Sequence, residues 1–158
     1  MRVAAVLVLV IAGLAPAAAE NANPAATKEA QVETVLKDAG LFGAWAIDCD
    51  APATPANPHV SIMVAEAGGV IERHDLGPDY EVNNYRVIAA KRLSKTRVSV
   101  EVLFNPGTEH EEVQRLIFSV ENDTRRTLFN QIVGGPVVVK AGVVVGHDAK
   151  TPLLRKCG

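Results

Sequence analysis

The sequence predicts an all-β protein: a single antiparallel up-and-down β-barrel of about eight strands with a short N-terminal helix. Three observations carry that prediction. Hydrophobic periodicity changes from 3.6 to 2 at Leu41 and does not change back. Clusters of Gly, Pro, Asn and Asp then punctuate the chain at short, regular intervals. No helical stretch separates the apolar runs, so the crossover connections of a parallel sheet are missing and the strands must run antiparallel.

Ahead of that region, Met1 and Arg2 precede an apolar run from Val3 to Ala15 and the small residues Pro16-Ala17-Ala18-Ala19. A short basic start, an apolar run of about 13 residues and an A-x-A ending read as a secretory signal peptide over residues 1–19, cleaved after Ala19, because a spanning helix needs roughly 20 apolar residues. The expected location is the periplasm or the extracellular medium. Removing 19 of the 158 residues leaves 139, enough for one domain with one core. Residues 20–27, small and polar, read as a flexible leader, and residues 28–158 as the folded domain. Without Arg2 the chain has 15 Lys and Arg against 18 Asp and Glu, a balance that argues against nucleic acid or an anionic membrane surface as partner. No later stretch is long enough to span a bilayer.

Val32, Val35, Leu36 and Ala39 fall at i, i+3, i+4 and i+7, predicting a helix over 28–39 with Thr27 as N-cap and Gly40 as its stop. Leu41, Gly43, Trp45, Ile47 and Cys49 form one face of the first strand. Pro52, Pro55 and Pro58 make 50–58 a loop. Strands are expected at 59–65, 70–76, 80–93, 97–104, 111–121, 124–133, 137–145 and 153–157. The clearest alternation sets Val98, Val100, Val102 and Phe104 against Arg97, Ser99 and Glu101, with Leu116 and Phe118 repeating it on the next strand. Val137–Val145 is apolar on both faces. A strand buried on both sides would explain it, and so would an exposed hairpin that meets a protein partner or a second copy.

Cys49 and Cys157 are the only cysteines, and in an oxidising compartment they are expected to pair. The four histidines stand singly, without metal-ligand spacing, and read as surface residues; no metal or cofactor site is predicted. No nucleophile elbow and no phosphate-binding glycine loop is present, so the chain is not expected to be an enzyme.

Gly43-Ala44-Trp45, just after a short helix and at the start of a meander, resembles the lipocalin and wider calycin pattern. The longer spacing Gly-x-Trp-x-x-Asp-Cys at 43–49, with Lys156-Cys157 at the far end, also resembles a group of small exported proteobacterial proteins. The calycin resemblance implies a barrel whose base is closed by the Trp and covered by a basic side chain, Arg155 or Lys156 here.

Aromatic residues make up 4% of the chain, which leaves either a narrow solid barrel or one with a cavity. The expected function is non-catalytic binding of a small apolar or amphipathic molecule, with Trp45, Tyr85, Val98, Val100, Val102, Phe104, Leu116 and Phe118 lining the pocket. The competing expectation is an interaction protein, an inhibitor or envelope assembly factor, acting through the 50–58 loop or Val137–Val145.

Overall fold

The structure is a computed structural model and describes residues 24–158. The proposed signal peptide and the start of the leader lie outside the described residues. Helix α1 (Pro24–Asp38) is followed by β1 (Gly43–Ala46), β2 (His59–Val64), β3 (Val70–Asp75), β4 (Asn83–Ser94), β5 (Arg97–Phe104), β6 (Glu112–Glu121), β7 (Thr124–Ile132), β8 (Val137–Lys140), β9 (Val143–Val144) and β10 (Leu154–Lys156). Each strand from β1 to β8 pairs antiparallel with the next. β10 closes the sheet, pairing with β1 at Trp45↔Lys156 and with β7 at Leu154↔Arg125. β1 to β7 and β10 therefore form a closed eight-stranded antiparallel barrel, as the alternation predicts. β8 takes the rest of the β7 edge at Asn130↔Val139, and the β8–β9 hairpin stands beside the barrel mouth.

Local chemistry sets these elements. The helix begins four residues earlier than predicted, so Thr27 lies inside it and the flexible leader does not extend to residue 27. Proline fits the first helical turn, where no amide donor is needed, and Ala25 and Ala26 have high helix propensity. Gly40, with φ +71°, ends it: Leu41 N donates to Leu36 O at 3.0 Å and Gly40 N to Lys37 O at 2.9 Å. The Val-rich stretch is a hairpin rather than one strand, because Ala141 and Gly142 both take positive φ between Lys140 and Val143, the two-residue turn that matches strand twist.

β1 is shorter than predicted. Trp45 is buried as expected, but Ile47 is 43% exposed and does not share its face. The chain leaves the sheet after Ala46, where strand alternation ceases to apply. Among the described residues no helix is long and apolar enough to cross a membrane.

The barrel is plugged at the end where α1 lies. Val32 and Leu36 enter one apolar cluster with Val70, Val98 and Val100. Arg92 Nη1 donates to Asp38 O at 2.9 Å, and Glu29 pairs with Arg86 at 2.8 Å, fixing the helix to β4. Val100 is 1% exposed in this close-packed region, so Val100→Phe should destabilise the fold by roughly 1–3 kcal/mol through overpacking, whereas Ser99→Phe, on the other face, should change little. Urea unfolding of both variants checks this.

Cys49 and Cys157 form a disulfide with a Cα–Cα distance of 5.6 Å. It ties the end of the first strand region to the chain terminus across 108 residues. Cys157→Ser should cost roughly 2–4 kcal/mol and lower the melting temperature by several degrees, readable by calorimetry of oxidised protein.

Candidate functional site in the open half of the barrel

Above the plug, three residues of β3 turn inward in succession. Val70 belongs to the closed core, so the period of two also points Glu72 and His74 into the barrel. Glu72 is 5% exposed and meets Arg125 of β7, which is 3% exposed. Arg125 Nη2 donates to Glu72 Oε1 at 2.8 Å, and the same oxygen lies 2.6 Å from His74 Nε2. The Arg125 guanidinium lies 4.3 Å from the Phe118 ring centroid and 6.0 Å from that of Trp45. Burial alone would raise the Glu72 carboxyl. The charge of Arg125, with the hydrogen bond and charge of His74, outweighs it and holds the carboxyl down at about 2.

Tyr85 stands beside this cluster, its ring centroid 4.8 Å from His74 and 5.0 Å from Phe104. Burial first, then the charges of Glu72 and Glu112, push its hydroxyl well above the usual range, so it stays protonated. Trp45 is held from below: its Nε1 donates to Leu41 O at 2.9 Å, and Lys156 Nζ lies 5.4 Å from its ring centroid while donating to Gly40 O. Arg155, the other basic candidate, instead pairs with Asp48 at 3.0 Å.

Toward the mouth the barrel opens into a cavity of about 250 Å3. Val60, Leu76, Tyr85, Leu116, Val139 and Leu154 supply its apolar wall, and His74, Arg125, Arg126, Thr127, Asn130 and Thr151 its polar groups. Pro55, Pro58 and Pro152 border it. The proline loop is not free to swing away. Asn57 Nδ2 donates to the carbonyls of Asp48 at 3.0 Å and Pro52 at 3.1 Å, and its Oδ1 accepts from Asp48 N at 2.9 Å. At Gly77, with φ +102°, a Cβ would lie 2.7 Å from Ala53 O, so the 76–77 segment can approach the loop only as glycine.

Two buried polar atoms have no hydrogen-bond partner among the described residues, Arg125 Nη1 and Asn130 Oδ1. Both residues line this cavity. Asn130 Nδ2 is engaged, donating to Gln114 Oε1 at 3.0 Å.

Of the residues expected to line a pocket, Tyr85 and Leu116 do line the cavity. Val102 and Phe118 join them only around a void of about 10 Å3 below it. Val98 and Val100 sit in the closed core, Trp45 packs with Val60 and Leu154 under Arg125, and Phe104 is half-buried against Tyr85. His74 departs from the expectation of a surface histidine, since inward parity brings it to Glu72. His110 and His147 are exposed. Glu72, Arg125 and Asn130 are not among the residues that the sequence singles out. The parity of Val70 carries the signal for Glu72, but a charged side chain on a strand ordinarily reads as facing water.

Fold and site together define a small closed antiparallel barrel, plugged by a helix at one end and hollow at the other, with a buried ion pair between the two halves. No protein family, curated protein or solved structure matches the chain in comparison.

Proposed function

We propose that this protein is an exported, non-catalytic binding protein that holds a small amphipathic molecule in the open half of its barrel. The observation that carries the reading is the cavity of about 250 Å3, whose wall is mostly apolar and most of whose polar groups converge from β3 and β7. Drug-sized ligands occupy roughly 300–1,000 Å3, and a cavity of about 150 Å3 admits benzene, so the fitting ligand lies between these sizes. The Cys49–Cys157 disulfide supports a site of action outside the reducing cytoplasm, after cleavage following Ala19. Native mass spectrometry of protein purified from its own periplasm tests the reading. A retained small molecule, lost on Val139→Trp, is the expected result; ligand-free protein from every growth condition tested would count against it.

A second reading has a specific observation behind it. Val133, Val145 and Leu153 remain 50–54% exposed, and Val145 is bonded to the β8–β9 hairpin through Val138 O. An interaction protein would use these exposed apolar side chains, and the same spectra would then show a protein partner or a second copy.

A further inference from the structure

We propose that the ligand is uncharged and presents a hydrogen-bond acceptor to Arg125 Nη1 and a donor to Asn130 Oδ1, as a compact ring-bearing carboxamide does. This deepens the binding-protein reading and rests on it. Three observations combine. First, Arg125 is 3% exposed and lines the cavity, yet its Nη1 has no partner among the described residues. A buried donor left unmade costs free energy, so the cavity favours an occupant that accepts a hydrogen bond there. Second, the Arg125 charge is already matched by Glu72 at 2.8 Å. A carboxylate bound at Arg125 would share that cation with the Glu72 carboxylate and be repelled by it, leaving only Arg126, the other cation lining the cavity, to offset the second charge, whereas a carbonyl oxygen accepts the same hydrogen bond with no charge to compensate. Third, the other orphan is an acceptor. Asn130 Oδ1 is buried while its amide nitrogen is committed to Gln114, so it repels a second anionic oxygen and selects an N–H or O–H. The wall formed by Leu116, Val139 and Leu154 accommodates the apolar body.

The test uses the full mature chain and three probes of nearly equal shape: benzamide, benzoate and α-methylstyrene. Benzamide offers both acceptor and donor, benzoate only charged acceptors, and α-methylstyrene neither. Titration followed by amide chemical shifts at pH 7 should show benzamide binding at least tenfold more tightly than either of the others. Asn130→Leu should erase most of that preference, read as the ratio of benzamide to α-methylstyrene affinity within the variant. Because losing Arg125 alone would strand Glu72, the paired variant Glu72→Gln/Arg125→Met removes both charges; within it benzamide should bind no more tightly than α-methylstyrene. Tighter binding of benzoate would overturn the inference and leave the binding-protein reading standing. Equal binding of all three would also overturn it, meaning that water serves the two orphan atoms. Binding of none would refute the binding-protein reading together with the inference.

Discussion

Glu72→Gln should destabilise the barrel by roughly 3–5 kcal/mol, although the side chain changes by a single atom. Arg125 would keep its charge at 3% exposure, with its counter-charge gone and the Phe118 face as its main compensation. The effect belongs to the unpaired cation rather than to the lost hydrogen bond. Removing both charges in Glu72→Gln/Arg125→Met should therefore recover most of the loss, because Met retains much of the apolar volume packed on Phe118. Urea midpoints of the two variants and the parent measure this directly. A double variant no more stable than Glu72→Gln would show that the pair contributes net stability.

The same carboxylate makes a prediction about acid. Its folded-state value of about 2 lies below the ordinary 4.5, so the unfolded chain binds this proton more readily than the native one. The stabilisation is then fully present above pH 4.5 and is lost as pH falls from there toward 2. It is of order 3 kcal/mol. Chemical unfolding of the parent at pH 6, 4 and 2.5 should lose stability more steeply than Glu72→Gln does. Parallel curves would mean that Glu72 is not held ionised by Arg125 and His74.

Trp45→Ala should be comparably severe, at roughly 3–5 kcal/mol. The indole is 1% exposed, packs with Val60 and Leu154, and joins the barrel wall to the helix stop through its hydrogen bond to Leu41 O. Removing it would open a void beneath Arg125 and free two cations, Arg125 and Lys156, from one aromatic ring. The native emission of this single Trp should be blue-shifted and resistant to quenchers. Red-shifted, quencher-accessible emission would place the ring outside and contradict the register of β1.

The barrel was legible in the sequence because its evidence is local and repeated. Val98, Val100 and Val102 alternate with polar neighbours, and all three are buried. Asn122 and Asp123 mark a tight turn that the structure builds with positive φ at both residues. Strand ends were harder to place, since they depend on where a partner stops. Ile47 continues the alternation of β1 but has no ladder to hold it. The site was less legible still. A rule that sends charged residues to water misplaces Glu72 and Arg125, whose burial is tolerable only because each meets the other across 53 positions of sequence. Nor could alternation separate the plugged half from the hollow one. Val100 and Leu116 are opposite each other in the β5–β6 ladder, but only Leu116 reaches the cavity, and that division follows from how deeply the helix enters the barrel.

The central claim is that the hollow end takes a ligand, and mapping the binding of toluene by amide chemical shifts tests it most directly. Toluene exceeds benzene by one methyl and should fit a cavity of about 250 Å3. Saturable shifts centred on Leu116, Val139 and Leu154, with Val98 and Val100 unmoved, are the predicted result. Shifts confined to the exposed Val133, Val145 and Leu153, or none at all, would contradict it.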